Sequence, residues 1–254
     1  KLNINSDEQK IRNSFSSKIR FIPLIDDNEN LVDVADSHKS HLIPLMQPSL
    51  LGKELDYVID CIKTNWISSQ GAYVRLFEKQ FEDMYPGMHA LAVSNGTVAL
   101  HLALYAHGIG LNDEVIIPNI TFVSTASSVL HCNAQPVFCE IDENSWCVDT
   151  RQVEKLITNK TKAIMPVHLY GNACNMDELC DLANRYKLLL IEDCAEAIGT
   201  KWKKKLVGSF GNASTFSFFG NKTVTTGEGG MVLFQNSKIA EKARILRDHG
   251  MNPN

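Results

Sequence analysis

The segment STFSFFGNKTVTTGEGG, residues 214–230, places one lysine directly after a strand-like run. The run is apolar, aromatic and hydroxyl-bearing, and a glycine-rich turn follows Lys222. A lone lysine usually faces solvent, but one at the end of a buried strand loses part of its hydration, which favours the neutral amine that forms imines. The segment therefore predicts a reactive lysine at the edge of a sheet.

Short apolar runs recur along the chain, with helical patterns between most of them. Seven runs predict strands, at residues 91–93, 115–117, 136–138, 163–167, 188–191, 215–218 and 231–234. Apolar spacing predicts helices at 99–104, 176–186 and 239–246, and earlier ones around 51–62 and 73–81. We expect both early helices to lie against a core, the first with Ser49 as its candidate cap. This alternation predicts an α/β fold: a mostly parallel, seven-stranded sheet with helices on both faces.

Ligands of such sheets bind beyond the carboxyl ends of the strands, so the residues after each strand are candidates for a site. Gly96 and Thr97 open a helix directly after the first strand. Unpaired backbone N–H groups and the helix dipole favour an anion such as phosphate there, although an ordinary helix cap is the alternative. Phe122 follows the second strand and offers a flat face to a planar ring, although such aromatics more often belong to a core.

Asp193 follows the strand predicted at 188–191, where a carboxylate is costly unless a cation or an N–H group pairs with it. Taken alone, such an acid is more often a helix cap or a salt-bridge partner. The combination is more specific, because a phosphate cradle, an aromatic, an acid and a lysine occur in this order, each at a strand end. Pyridoxal phosphate needs these four parts for its phosphate, its ring, its pyridine nitrogen and its Schiff base.

The composition restricts the classes of protein and partner. The chain has 254 residues, 44% of them hydrophobic, which is enough for a large core without metal or disulfide support. Its net charge of -4 gives no global field that would attract nucleic acid or an anionic membrane. No apolar run reaches the length of a membrane span, the seven cysteines form no CxxC pair, and the histidines lack metal-ligand spacing. We expect a cytoplasmic protein with free thiols and with no nucleic-acid, membrane or metal partner.

The first 42 residues differ from the rest of the chain in composition and in the pattern of their apolar residues. Two short apolar runs flank the turn sequence DDNEN, residues 26–30, which predicts a hairpin. The pattern resembles the strand–turn–strand of a CBS regulatory module, of which one partial unit is visible. An ordinary N-terminal hairpin, a linker and a remnant of a fused upstream domain are the alternatives. We therefore divide the chain into an N-terminal segment, residues 1–42, and a cofactor-binding large domain, residues 43–254.

From about residue 43 onward the chain resembles the DegT/DnrJ/StrS nucleotide-sugar aminotransferases, which are fold-type-I pyridoxal phosphate enzymes. The resemblance rests on nine short motifs: WISSQG at 66–71, SNGTVAL at 94–100, PNITF at 118–122, VHLYG at 167–171, IEDCAEA at 191–197, GSFG at 208–211, FSFFGNK at 216–222, TGEGGM at 226–231 and RDHGM at 247–251. The sequences of these motifs are most similar to those of the perosamine-synthase branch. The resemblance implies the three-layer large domain of that fold type.

The resemblance also implies a role for each candidate residue. Lys222 would hold the cofactor covalently and then carry the proton between the substrate and cofactor carbons. Asp193 would pair with the pyridinium nitrogen, Phe122 would lie against the ring, and Glu196 would lie near the ring hydroxyl. Three residues would hold the phosphate: Gly96, Thr97 and Ser217. Relatives that dehydrate their substrate have histidine in place of the lysine, so Lys222 favours amino transfer.

The reaction implied by the resemblance moves an amino group from glutamate to a nucleotide-linked 4-keto-6-deoxy sugar, in a homodimer whose subunits share the active site. The family continues past the DHG motif into a small C-terminal domain that closes over the substrate, so we expect this chain to hold the large domain without it. The alternative is a non-catalytic remnant of this fold that acts in binding or regulation. The nucleotide, the sugar, the 3- or 4-keto position and any natural continuation past Asn254 stay open.

Overall fold

The computed structural model describes residues 1–16, 18–37 and 48–251. The chain divides into two compact units, Lys1–Gln47 and Pro48–Asn254. The predicted boundary between residues 42 and 43 lies outside the described residues, so its exact position stays a prediction.

In its described residues, 1–16 and 18–37, the N-terminal unit has one helix and a small sheet: β1 (Leu2–Asn3), α1 (Glu8–Asn13), β2 (Phe21–Ile25) and β3 (Leu31–Asp36). Strand β1 pairs parallel to β2, and β2 pairs antiparallel with β3, so the last two strands form a hairpin. The Asp26 carboxylate holds the hairpin turn by accepting the backbone N–H groups of Asn28 and Asn30, both at 2.9 Å. The core of this unit is a small apolar cluster: Ile11, Ile22, Leu24 and Ala35. Its likeness to a CBS module stays a prediction.

The second unit alternates strands and helices along most of its length. Its elements are α2 (Glu54–Lys63), α3 (Ala72–Met84), β4 (His89–Val93), α4 (Gly96–Ala106), β5 (Glu114–Pro118), α5 (Val123–His131), β6 (Gln135–Cys139), α6 (Thr150–Leu156), β7 (Thr161–Ile164), α7 (Met176–Tyr186), β8 (Leu189–Asp193), β9 (Lys201–Trp202), β10 (Lys205–Leu206), β11 (Ala213–Ser217), β12 (Gly230–Phe234) and α8 (Ser237–Arg247). Within the described ranges, every helix is too short or too polar to cross a bilayer.

Seven of these strands form one sheet, in the order β4-β12-β11-β8-β7-β5-β6. Strand β12 runs antiparallel to both of its neighbours, β4 and β11, and the other neighbouring pairs are parallel. The predicted α/β class and the seven strands of a mostly parallel sheet are therefore confirmed. One strand is shorter than predicted, because β7 ends at Ile164 and Val167 forms only an isolated bridge to Asp193.

Helices cover both faces of the sheet and make the fold three layers thick. Side chains of α4, α5 and α8 pack in one apolar cluster with one face, and those of α3, α6 and α7 pack against the other face. Consecutive strand residues such as Ile116 and Ile117, or Leu190 and Ile191, belong to opposite clusters. Because both faces are buried, the strands read as unbroken apolar runs rather than as alternating ones.

The helix predicted around residues 51–62 is present, but it does not lie against the core of the chain. It begins at Glu54 with Lys53 as its N-cap, so Ser49 is not its cap, and none of its residues is buried. Its apolar stripe is exposed: Leu55, Val58 and Ile62. The expectation of core packing was wrong for α2 and is confirmed for α3, which buries Phe81. Apolar periodicity identifies a helix and its apolar face, but it does not say whether the same chain covers that face.

Candidate active site

One cavity of about 350 Å³ lies where several parallel strands end. Every residue predicted for the site lines it: Gly96, Thr97, Phe122, Asp193, Glu196, Ser217 and Lys222. The sheet explains this convergence, because β8 and β11 are parallel neighbours and their carboxyl ends share one edge. A larger and more open cavity of about 800 Å³, next to His101 and Arg247, contains none of the predicted residues.

The first turn of α4 supplies the candidate phosphate cradle. Asn95 is the N-cap, and its side chain satisfies one of the first N–H groups of the helix. Helix geometry gives the N–H groups of Gly96 and Thr97 no acceptor inside the helix, and both residues line the cavity. A Cβ at Gly96 would lie 2.9 Å from the Cβ of Ser217, so only glycine permits this approach. Backbone donors, the helix dipole and two hydroxyls thus fit an anion.

Asp193 ends β8 and is only 4% exposed. Its Oδ1 accepts the backbone N–H of Ala195 at 3.1 Å, and its Oδ2 accepts the hydroxyl of Thr125, also at 3.1 Å. Burial raises the pKa of Asp193 above its ordinary value, while these two hydrogen bonds and the charge of Lys222 oppose the rise. A cation in the cavity, such as a protonated pyridine nitrogen, would further favour the carboxylate form.

Lys222 lies in the turn after β11, and its side chain is 16% exposed. Its Nζ donates to Oε1 of Glu196 at 3.1 Å, and Oε2 of Glu196 accepts the backbone N–H of Tyr170 at 2.9 Å. Glu196 therefore holds the amine within the cavity lining. The side chain of Phe122, at the N-cap of α5, is exposed and leaves an aromatic face available beside the same cavity.

Several residues of the site were absent from the sequence-based prediction. Ser124 lies 2.6 Å from Thr97, hydroxyl to hydroxyl, and Thr125 donates to Asp193. Their signal in the sequence is the hydroxyl-rich run that follows Phe122, VSTASS at 123–128, at the start of a helix. Two further lining residues, Asn221 and Glu228, flank the lysine turn.

A buried network behind the site also escaped prediction. The Glu192 carboxylate accepts three backbone N–H groups at 2.7 to 2.8 Å: those of Gly208, Phe210 and Gly211. Nε2 of His168 lies 3.2 Å from the same carboxylate. The backbone N–H of Cys174 donates to Nδ1 of His168 at 3.1 Å, so the ring proton is on Nε2 and is donated to Glu192. His168 is therefore fully buried and held on both ring nitrogens behind the site.

Three atoms that could bind a metal lie within 4.8 Å of one another in this network, on His168, Glu192 and Cys194. The hydrogen bonds already account for the positions of the carboxylate and the imidazole. The network connects β8 to the 208–211 turn that leads into β11, and so it holds together the two strands that carry Asp193 and Ser217.

Glu192→Gln is expected to lower the free energy of unfolding by about 2–4 kcal/mol. The amide would present its NH₂ group to donors that need an acceptor, and it would leave at least one buried N–H unpaired. Urea unfolding of the cofactor-free chain measures the change, with the exposed Glu241→Gln on α8 as matched control. A midpoint for Glu192→Gln equal to that of the control would contradict the role of this network.

Solved structures similar to this chain define the class of the fold. An aminotransferase from Psychrobacter cryohalolentis superposes with a TM-score of 0.78 and 38% identity, covering 83% of this chain and 54% of that one. The PLP-form of a putative sugar aminotransferase, Spr1654 from Streptococcus pneumoniae, has a TM-score of 0.78 and 27% identity over 84% of this chain and 59% of its own. The predicted fold class, an aminotransferase large domain, is confirmed.

The family follows from a more specific match. Residues 48–254 match the model of the DegT/DnrJ/EryC1/StrS aminotransferase family. The chain is 51% identical to GDP-perosamine synthase from Caulobacter vibrioides over 212 residues, which are 84% of this chain and 57% of that protein. This chain belongs to the DegT/DnrJ/EryC1/StrS aminotransferase family, as its motifs predicted. It spans a little over half the length of the relatives that it matches.

Proposed function

We propose that this chain is the cofactor-binding part of an enzyme that transfers an amino group to a nucleotide-linked sugar. The cofactor is pyridoxal phosphate, in keeping with the family and with the PLP-form structure that it resembles. The proposal rests chiefly on one observation: an anion cradle, a buried acid and a lysine line the same cavity. These parts match the phosphate, the ring nitrogen and the aldehyde of the cofactor.

The proposed substrate is a GDP-linked 4-keto-6-deoxy sugar, and the proposed amino donor is glutamate. The support for this finer assignment is the 51% identity to GDP-perosamine synthase, a protein whose name specifies a GDP-linked amino sugar. The motifs of this chain are also nearest to that branch.

The predicted site residues that line the cavity have separate roles in the proposed reaction. Bound pyridoxal phosphate supplies an electron sink for the carbon that gains or loses a proton. Lys222 would hold the cofactor covalently and would move a proton as a general base and acid. Asp193 would pair with the protonated ring nitrogen, and the amides of Gly96 and Thr97 would hold the phosphate. Glu196, already hydrogen-bonded to Lys222, keeps the amine directed into the cavity.

We also propose that the enzyme is a homodimer in the cytoplasm. Among the described residues that line the cavity, Lys222 is the one cation, so a phosphate there would benefit from a basic group supplied by another subunit. The apolar stripe of α2, which includes Leu55, Val58 and Ile62, is exposed in the single chain. Exposed stripes of this kind are typical of interfaces.

An assay of two proteins tests the proposal: this chain, and one extended to the length of its relatives. Each receives pyridoxal phosphate, ¹⁵N-glutamate and a GDP-, dTDP- or UDP-linked 4-keto sugar, and mass spectrometry detects ¹⁵N in the sugar. We expect labelled GDP-amino sugar from the extended protein and little from this chain, because a missing pocket wall costs rate as well as affinity. An extended protein that binds cofactor but labels no sugar would favour the non-catalytic alternative. Equal activity of the two would show that the matched region is the whole functional unit.

A further inference from the structure

The first turn of α5 contacts three separate parts of the candidate site. Phe122 is its N-cap, Ser124 bonds the hydroxyl of Thr97 in the phosphate cradle, and Thr125 bonds the Asp193 carboxylate. The contact between Thr125 and Asp193 joins two elements that are far apart in sequence. It involves the acid that is proposed to meet the ring nitrogen of the cofactor.

The direction of this hydrogen bond follows from the chemistry of its partners. Thr125 is 1% exposed and Asp193 4%, so water does not replace either partner freely. A carboxylate only accepts hydrogen bonds, so Thr125 gives its single hydroxyl hydrogen to Asp193. The hydroxyl of Thr121, 2.7 Å from that of Thr125, then donates to Thr125. The ordered chain from Thr121 through Thr125 to Asp193 therefore favours the ionised acid.

We propose that Thr125 is a positioning residue that keeps Asp193 ionised and oriented toward the ring nitrogen of pyridoxal phosphate. The inference rests on the proposed function only in naming the cofactor as the group that Asp193 meets. Thr125 does not line the cavity, so it would act on the cofactor only through the Asp193 carboxylate.

The balance of forces on Asp193 explains why one hydroxyl matters. Burial raises the pKa of this carboxyl, and the hydrogen bonds from Ala195 and Thr125 are among the groups that lower it. Without the hydroxyl, the acid would take up a proton more readily and would no longer offer the charge that the ring nitrogen needs. The other titratable groups close to Asp193 in sequence or in space are the same in every variant below: His168, Glu192, Cys194, Glu196 and Lys222.

Three variants separate the hydroxyl from the volume of the side chain. Thr125→Val keeps the shape and removes the donor, Thr125→Ser keeps the donor, and Ser128→Ala removes a buried hydroxyl that bonds only a backbone carbonyl of the same helix. We expect Thr125→Val to weaken pyridoxal phosphate binding roughly tenfold to hundredfold, as for a lost bond to a charged group. Thr125→Ser should restore most of the affinity, and Ser128→Ala should leave it unchanged. Absorbance titration of the cofactor measures all three.

Thr125→Val in an Asp193→Asn background tests whether Thr125 acts through the negative charge of Asp193. We expect Thr125→Val to change affinity less than about twofold there, because no carboxylate remains to be stabilised. An equal loss in both backgrounds would overturn the proposal, since it would indicate packing alone.

A cofactor-free measurement keeps this inference separate from the proposed function. Because the pKa of Asp193 is raised in the folded chain, its ionisation costs stability as the pH rises. Over a series from pH 4 to 8 we expect the resulting fall in melting temperature to be larger in Thr125→Val than in the unmodified chain or Thr125→Ser. An identical pH dependence would overturn the proposal even if pyridoxal phosphate binds. Failure of the unmodified chain to bind pyridoxal phosphate would overturn the proposed function, and the pH series would still decide the role of Thr125.

Discussion

Lys222→Ala is expected to abolish covalent attachment of pyridoxal phosphate and, in the protein extended to the length of its relatives, to lower the rate of the proposed amino transfer by a factor of about 10² to 10⁴ or more. The substitution removes both the attachment point and the group that moves the proton. The atoms removed from Lys222 line the edge of the cavity and are not part of the core. We therefore expect the free energy of unfolding to change by less than about 1 kcal/mol.

One measurement, applied to the unmodified chain and to the variant, checks the covalent attachment. Borohydride reduction of the loaded protein followed by peptide mapping should place the cofactor on the peptide that contains Lys222, and the alanine variant should carry no label. Lys204→Ala, at an exposed position between β9 and β10, is the matched control and should label normally. A label on any other lysine of the unmodified chain would refute the assignment.

Asp193→Asn is expected to slow the proposed amino transfer in the extended protein and to make the cofactor-free form of this chain more stable. The amide keeps the shape but cannot hold the proton on the ring nitrogen, so the rate should fall about 10²- to 10³-fold, as when a preorganised electrostatic group is removed. Because burial raises the pKa of Asp193 in the folded state, the folded chain binds this proton more tightly than the unfolded chain does. Ionisation therefore costs stability as the pH rises from the ordinary carboxyl value through the raised one.

Thermal unfolding of the cofactor-free proteins across pH tests the second half of this prediction. We expect the melting temperature of Asp193→Asn to exceed that of the unmodified chain near pH 8, and the difference to shrink at pH 4 and below. Asp56→Asn, at an exposed position of α2, should show no such divergence. Near-normal turnover, or parallel melting curves at all pH values, would contradict the role given to Asp193.

Local patterns were sufficient for most of the fold. The seven strands were predictable because burial on both faces imposes continuous apolar runs, and α7 was predicted with the bounds that it has, Met176–Tyr186. The antiparallel direction of β12 has a signal in the sequence. Residues 218–229, which connect β11 to β12, carry no helical pattern, whereas a parallel connection usually contains a crossover helix. The wrong expectation for α2 has another origin, because a periodic stripe reports an apolar face and not its partner.

The candidate site was predictable where each residue lies at the end of a strand. Gly96, Asp193 and Lys222 all come from short motifs whose neighbours reveal their chemistry, and the parallel sheet brings them to one cavity. The hydroxyl-rich run that contains Thr125 and the motif that contains Glu192 did not reveal the partners of these residues, because those partners are far away in the chain. Nothing in the local sequence distinguishes Thr125 from other threonines in the first turn of a helix. Its hydrogen bond to Asp193 is apparent only in the folded structure.

By itself, then, the sequence determined the element types, the family and the residues proposed to carry the chemistry, since these depend on periodicity and on side-chain type within a few neighbours. Only the tertiary structure decided which groups stabilise those residues. The strand order places β8 beside β11 and under α5, and this packing brings Thr125 to Asp193 and three backbone N–H groups to Glu192. Hydrogen bonds of this range have no local pattern, because their geometry exists only once the layers have packed.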